Sequence, residues 1–367
     1  MSRLSCLFLC IAVTHAGAAD PEQRPVFEAG KDGYHTYRIP ALIATRVNTL
    51  LAFCEGRKAG TSDAGDIDLL LRRSADGGKT WQKTQVVWDD GPNTCGNPCP
   101  VIDAANGTIW LLLTHNLGKD TEARIVSGKG AGSRTVWVSK STDDGVTWAK
   151  PVEITKDVKK PDWTWYATGP GVGIQTRGGR LVVPCDNKAD GGKLWQSHII
   201  YSDDQGATWK LGGIAGPKCN ESQVAELDDG TLVLNMRSYD ANKRRFVSTS
   251  RDGGLTWTKP VEDEALIEPV CQASLIRYRG SKDWLLFSNP ASTRREKMTV
   301  RLSRDGGKSW AGSLVLHDGP AAYSCLTVFE GGPIGCLYER GTKSPYEAIV
   351  FARFSFDALT TPGAEKK

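Results

Sequence analysis

Short apolar runs separated by polar turns organise this chain. Six recur, at 50–54, 109–114, 181–185, 232–236, 284–287 and 334–338, and another lies ahead of each, at 39–44, 98–102, 171–175, 222–227, 273–278 and 325–329. Runs this short, bounded by Gly and Asp turns, predict strands, and the period of an amphipathic helix is nearly absent. A third element sits between the pairs. It is Ser74-Ala-Asp76-Gly-Gly78-Lys-Thr80-Trp81, repeated at 141–148, 202–209, 250–257 and 303–310, each reading S-x-D-x-G-x-[T/S]-W. Asp and Ser can bond nearby backbone, Gly supplies positive φ, and Trp buries a large apolar face, so each copy reads as a hairpin turn pinned to its own blade by an aromatic. Recurrence at intervals of roughly 50 to 65 residues marks an array of similar modules. Six strand pairs, five of them with the Asp-bearing turn, predict an all-β fold, a six-bladed β-propeller with Asp-box turns. At the tail, Val350, Ala352, Phe354 and Phe356 share one face of a strand expected to close the ring against the chain's start.

The first residues change the picture at one end. Arg3, the apolar run 4–13 and the small residues Ala16-Gly17-Ala18 read as a secretory signal over 1–19, too short to span a bilayer. Residues 20–360 are then one propeller domain, exported and found in the medium, periplasm or lysosomal lumen according to host. No later run is apolar enough for stable membrane insertion. The net charge is +4, without a dense Lys/Arg block, so nucleic acid is not expected as a partner, whereas an anionic substrate is compatible. Two of the ten cysteines fall in the leader. Several of the others lie inside apolar runs, as small buried hydrophobes do. Cys95-x-x-x-Cys99 has no matching pair, so no metal is expected.

Candidate chemistry gathers at the strand ends. Arg38, Asn97, Glu221, Gln272 and Tyr323 precede the first strand of their units, and Glu55, Arg57, Asn116, Asp186, Arg237, Asn289 and Glu339 follow the second. In a propeller, equivalent ends of the inner strands converge on one mouth. Several arginines, several carboxylates and a tyrosine would meet there.

Tyr37-Arg38-Ile39-Pro40, followed by the five Asp-bearing turns, resembles the exo-α-sialidase (neuraminidase) family from Val26 to the C-terminus. The resemblance implies an arginine clamp on a sialic acid carboxylate at Arg38, Arg237 and Arg295. The spacing to 299–302 favours Arg295 over its neighbour Arg294. A guanidinium fork matches a carboxylate bidentately and stays charged. By the same resemblance Asp63 is the acid/base, with Asp66 its competitor on sequence grounds. Arg57 touches the sugar near its 4-hydroxyl, Glu339 orients the first arginine, and Trp163, Trp165 and Tyr166 lie near the N-acetyl and glycerol groups. Tyr323 and Glu221 become the nucleophile pair. The anomeric carbon of a sialoside bears a carboxylate, so a neutral phenol avoids the like charge that a carboxylate nucleophile would meet. Sialidases are indeed the exception among glycosidases in using tyrosine.

The expected function is retaining exo-α-sialidase hydrolysis of sialylated glycoproteins, glycolipids or oligosaccharides, with no cofactor. A propeller lectin or a trans-sialidase is the alternative. Asn106 and Asn220 begin glycosylation sequons, and a glycan on Asn220 would crowd Glu221. The leader predicts that the mature chain starts at Ala19 or Asp20. N-terminal sequencing of exported protein checks this, and an intact Met1 would refute it.

Overall fold

The computed structural model describes residues 21–278 and 282–360; the proposed leader 1–19 lies outside them. Six antiparallel units follow one another among the described residues. The first is Thr36–Ala44, Leu50–Arg57, Ile67–Ser74 and Gln85–Trp88, and the second Thr94–Ile102, Ile109–Asn116, Thr135–Ser141 and Val152–Glu153. The third opens with a broken strand, Trp165–Thr168 and Ile174–Gln175, before Leu181–Ala189, Leu194–Ser202 and Lys210–Ala215. The fourth is Cys219–Glu226, Leu232–Ser238, Arg244–Ser250 and Val261–Ile267. The fifth is Ser274–Arg277, Leu285–Pro290, Glu296–Ser303 and the first half of the 17-residue strand Gly312–Val328. That strand's second half opens the sixth unit, continued by Ile334–Arg340 and Ala348–Phe354. The sixth is completed from the other end of the chain: Glu22–Glu28 pairs antiparallel with Ala348–Phe354, as Glu22 with Arg353 and Glu28 with Ala348. Hydrogen bonding merges these units into four sheets, and none of the sheets closes on itself.

The second strand of each unit is buried on both faces, which explains why runs such as Leu50-Leu-Ala-Phe-Cys54 are continuously apolar rather than alternating. Polar seams tie neighbouring first strands together. The Leu326 amide donates to Ser274 Oγ (3.0 Å), the Ser324 amide to Gln272 Oε1 (3.0 Å), and Thr168 Oγ1 to the Asn97 carbonyl (2.6 Å). The eight described cysteines are buried and unpaired. No described helix is long and apolar enough to cross a membrane.

The strands run further than the apolar pattern. Arg38, Glu55, Arg57, Glu221, Arg237, Tyr323 and Glu339 all lie inside strands rather than beyond them. Their polarity hid the extension, because the backbone ladder continues where the side chains turn toward a cavity.

The five Asp-bearing turns share one hydrogen-bond pattern. In the third, Ser202 Oγ donates to Asp204 Oδ1 (2.7 Å) and accepts from the Gly206 amide (2.8 Å). Asp204 accepts from the Thr208 amide (2.9 Å) and hydroxyl (2.6 Å). The tryptophans depart from expectation in part: they reach the preceding unit, and Trp310 also packs on Phe287 of its own. Trp81 packs edge-on against Phe351, Trp148 against Phe53 and Trp209 against Trp110, and Trp310 donates to Asp263. The reason is the turn's position at the end of the third strand, beside apolar side chains of the neighbouring unit: Phe53 and Trp110 from second strands, Phe351 from a third. Gly206 shows how close that approach is: at φ +90°, a Cβ there would lie 2.1 Å from the Trp110 ring.

Hydrogen bonds from Thr208 and Ser202 hold the Asp204 carboxyl down at about 2, against 3.8 unperturbed, and Asp76, Asp143 and Asp252 are likewise at about 2. A carboxyl depressed on folding stabilises the fold above the unfolded value, and that contribution is lost as pH falls from about 4 to about 2. Asp204→Ala is expected to lower Tm by roughly 2–4 °C at neutral pH, from about 1 kcal/mol of lost hydrogen bonding at an exposed site, and to flatten the fall of Tm below pH 4. Calorimetry from pH 2 to 7 checks both.

Candidate active site

Four of the first strands carry a register irregularity, between Arg38 and Ala41, Gly96 and Cys99, Cys219 and Ser222, and Ala321 and Ser324. Arg38, Asn97, Glu221 and Tyr323 lie within them. A bulge re-aims a side chain that regular alternation would send elsewhere, and all four of these residues line one cavity. At the first bulge Ile39 adopts φ +63°, which costs a β-branched residue on the order of 1–3 kcal/mol. Glu339 offsets this cost. Fully buried, its Oε1 accepts from the Ile39 amide (2.9 Å) and Arg38 Nε (2.7 Å), and its Oε2 accepts from the Tyr323 amide (3.1 Å).

Tyr323 stands at the centre. Its hydroxyl donates to Glu221 Oε1 at 2.5 Å, and Arg237 Nη1 donates to both Glu221 Oε2 (2.7 Å) and the phenol oxygen (3.2 Å). The Arg38 and Arg295 guanidinium carbons lie 5.0 Å and 5.7 Å from the Tyr323 ring centroid. Three guanidinium groups from three units thus surround one phenol. Burial, then the charge of Glu221, pushes the phenol well above its ordinary range despite Arg237 and Arg295, so Tyr323 is neutral at any physiological pH. Arg295 is held by Tyr346, accepting at 2.6 Å. Arg294, by contrast, points to solvent, 79% exposed, and pairs with Glu296.

Asp63 sits on an exposed loop at the mouth, its side chain 66% exposed, bonded to Arg57 Nη2 at 2.7 Å with Arg38 Nη1 at 3.9 Å. Desolvation acts to raise its carboxyl, but Arg57 and Arg38 outweigh it and hold the group below the usual carboxylate range. Arg57 is fixed from behind by Glu55 Oε2 (2.6 Å) and by the Thr61 carbonyl (2.6 Å). Asp66, the competing acid, does not line the cavity and pairs with Lys58 at 2.9 Å. Asp66, Asp68 and Asp89 are spaced closely enough to hold a cation, but the Lys58 ammonium already lies 2.9, 3.2 and 3.9 Å from them.

The aromatic segment divides. Trp165 lines the cavity beneath the Arg134 guanidinium, 4.3 Å away. Trp163 and Tyr166 are buried core residues packed on His198, so for them the resemblance to a sugar-facing segment does not carry over. The Asn220 side chain is buried and donates to Asp186 Oδ2 at 2.7 Å, which leaves no room for a glycan. Sequence reasoning missed Arg134, Glu122, Tyr239 and Tyr346. Arg134 lies just ahead of the third strand Thr135–Ser141 and Tyr346 lies in a loop, so neither shares the repeat position that drew attention to the others.

A repeat-built all-β fold whose units each contribute to one arginine-rich cavity defines a class of glycoside-hydrolase-like proteins, and the relatives name the family. Residues 48–336 match the model of the BNR repeat-like domain. A sialidase of Bacteroides fragilis is 37% identical over 338 residues, which cover 86% of this chain and 62% of that protein. An exo-alpha-sialidase of Aspergillus fumigatus is 33% identical over 357 residues, covering 88% and 84%. Among solved structures, the Hadza microbial sialidase Hz136 superposes with a TM-score of 0.83 at 35% identity, covering 92% of this chain and 69% of that one. The chain belongs to the exo-α-sialidase family. It spans less than two thirds of the Bacteroides protein's length.

The geometry separates the two adjacent arginines by experiment. Arg295→Ala is expected to raise KM for a sialoside about 10- to 150-fold, the equivalent of 1.5–3 kcal/mol for a charge-assisted contact. Arg294→Ala is expected to stay within about twofold. Steady-state kinetics on the two variants decides the assignment, and the reverse result moves the clamp by one residue.

Proposed function

We propose that this protein is an exported exo-α-sialidase that hydrolyses terminal sialic acids from glycoconjugates with retention of configuration, on a six-bladed propeller. The observation that carries the reading is the Tyr323–Glu221 contact at 2.5 Å, set among Arg38, Arg237 and Arg295. The propeller is supported by two cavities, each lined by residues of all six units: the site itself, and a second bounded by Leu42, Val101, Ile174, Ala225, Ile276 and Leu326 at the far ends of the first strands.

The chemistry follows from the protonation states. The substrate carboxylate docks on the three guanidinium groups. Asp63 must be protonated to act as acid, yet the free site holds it low. An anionic ligand on Arg38 cancels part of the field responsible, so binding itself raises Asp63 toward its working form. Asp63 then gives its proton to the glycosidic oxygen as that C–O bond breaks. The Tyr323 oxygen bonds to the anomeric carbon while its proton passes to Glu221. In the second half, water attacks the anomeric carbon and gives a proton to Asp63. The tyrosyl bond breaks, and Glu221 returns the proton to Tyr323. Two inversions give net retention.

An aryl leaving group departs without protonation. Asp63→Ala is therefore expected to slow cleavage of natural sialosides about 10²- to 10⁴-fold while sparing aryl sialosides far more, and Tyr323→Phe to damage both. NMR of the wild-type reaction is expected to detect the α-anomer first. Initial β-anomer, or near-normal rates in Tyr323→Phe, would refute the covalent route.

A further inference from the structure

Asp186 lines the same cavity as Asp63, from the second strand of the third unit, and the mechanism does not use it. It lines the site yet is 1% exposed. Its Oδ2 accepts from Asn220 Nδ2 at 2.7 Å, while Oδ1 is buried and has no hydrogen-bond partner among the described residues. The nearest cation on its own strand, Lys188, is already paired with Glu122. An ionised carboxylate with one oxygen bare and no dedicated counter-ion is costly in such a place, whereas a carboxylic acid carries a donor on the bare oxygen.

We infer that Asp186 is a substrate-binding residue, a carboxylic acid that keeps its proton and donates it through Oδ1 to an uncharged oxygen of the bound sugar, a hydroxyl or acyl carbonyl remote from the carboxylate clamp. The inference rests on the sialidase reading and adds a specificity element to it. Charge balance agrees. Five acidic residues (Glu55, Asp63, Glu122, Asp186, Glu221) and five arginines line the cavity, with Glu339 paired to Arg38 and Lys188 paired to Glu122 beside them, so these groups cancel when all are charged and a protonated Asp186 leaves one positive charge in excess for an anionic ligand. The groups facing Asp186 point the same way. Burial first, then Glu221 on the fourth unit and Glu122 on the short helix Glu122–Val126, push its carboxyl well above the usual range, while Lys188 and Arg237 oppose them. Arg134 and Tyr239 complete the surroundings.

A group with a raised folded value is protonated below that value and loses its donor as pH rises through it. For the wild type, KM is expected to climb with pH on that limb. In Asp186→Asn, whose amide donates at every pH, the limb is expected to vanish. Asp186→Leu, which cannot donate, is expected to raise KM about 5- to 10-fold with kcat within about twofold, as for loss of one hydrogen bond. A merely structural Asp186 would leave the pH profile of KM alike in wild type and Asn variant. An independent readout needs no turnover: the infrared difference spectrum of wild type minus Asp186→Asn at neutral pH is expected to contain a protonated-carboxyl band. Absence of that band, or a folded Leu variant with wild-type KM, overturns the inference alone. A wild type inactive on an aryl sialoside ends the sialidase reading together with it, so the two failures are told apart before any variant is made.

Discussion

Glu339 is the residue on which the site's geometry depends. One carboxylate, wholly buried, takes hydrogen bonds from the Arg38 side chain, from the Ile39 amide and from the Tyr323 amide, which lie about 300 and 16 residues away in sequence. It joins the first and last units at the point where the Arg38 guanidinium, lining the cavity, lies 5.0 Å from the Tyr323 ring. It also offsets an otherwise unfavourable backbone at Ile39. Truncating such a group leaves a buried arginine without its counter-charge, which costs more than the pair contributes. The strain at the bulge and the charge in the clamp are therefore maintained by the same two oxygen atoms.

The cavity is electrostatically crowded, and its order comes from dividing that crowd into separate sets. Glu55 serves Arg57, Glu339 serves Arg38, and Glu221 serves Arg237 together with Tyr323. Arg295 is left with a neutral partner, Tyr346, and Arg134 with Thr114, Asn116 and Asn97. Arg295 and Arg134 thus meet neutral acceptors, and the acids that act on Arg134 do so without a hydrogen bond to it.

Much of this was legible beforehand, for a physical reason. The Asp-bearing turns are local: their hydrogen bonds run between residues two and four apart, so the motif is its own structure. The inner strands were legible because burial on both faces writes a continuous apolar run. Arg38, Glu221, Arg237, Tyr323 and Glu339 were legible because the repeat places them at equivalent ends. Long-range choices were not written locally. Nothing near Trp81 announces that its ring meets Phe351, 270 positions on. The hold of Tyr346 on Arg295 and the packing of Arg134 on Trp165 likewise join segments outside the repeat. The split between Trp165, which faces the cavity, and Tyr166, which faces the core, is the alternation of a strand whose register the broken third unit obscured.

The strand Glu22–Glu28 carries one more consequence. The sixth unit receives its outermost strand from a segment far earlier in the sequence, so that strand is synthesised long before its partner Ala348–Phe354 exists. The sixth unit is thus a clasp fastened late. Until it fastens, Ala348–Phe354 presents an unpaired edge to any other extended segment, including the Glu22–Glu28 of a second nascent molecule. Exchange of that strand between two chains would seat the same side chains in the same register, so a swapped pair would satisfy the same ladder.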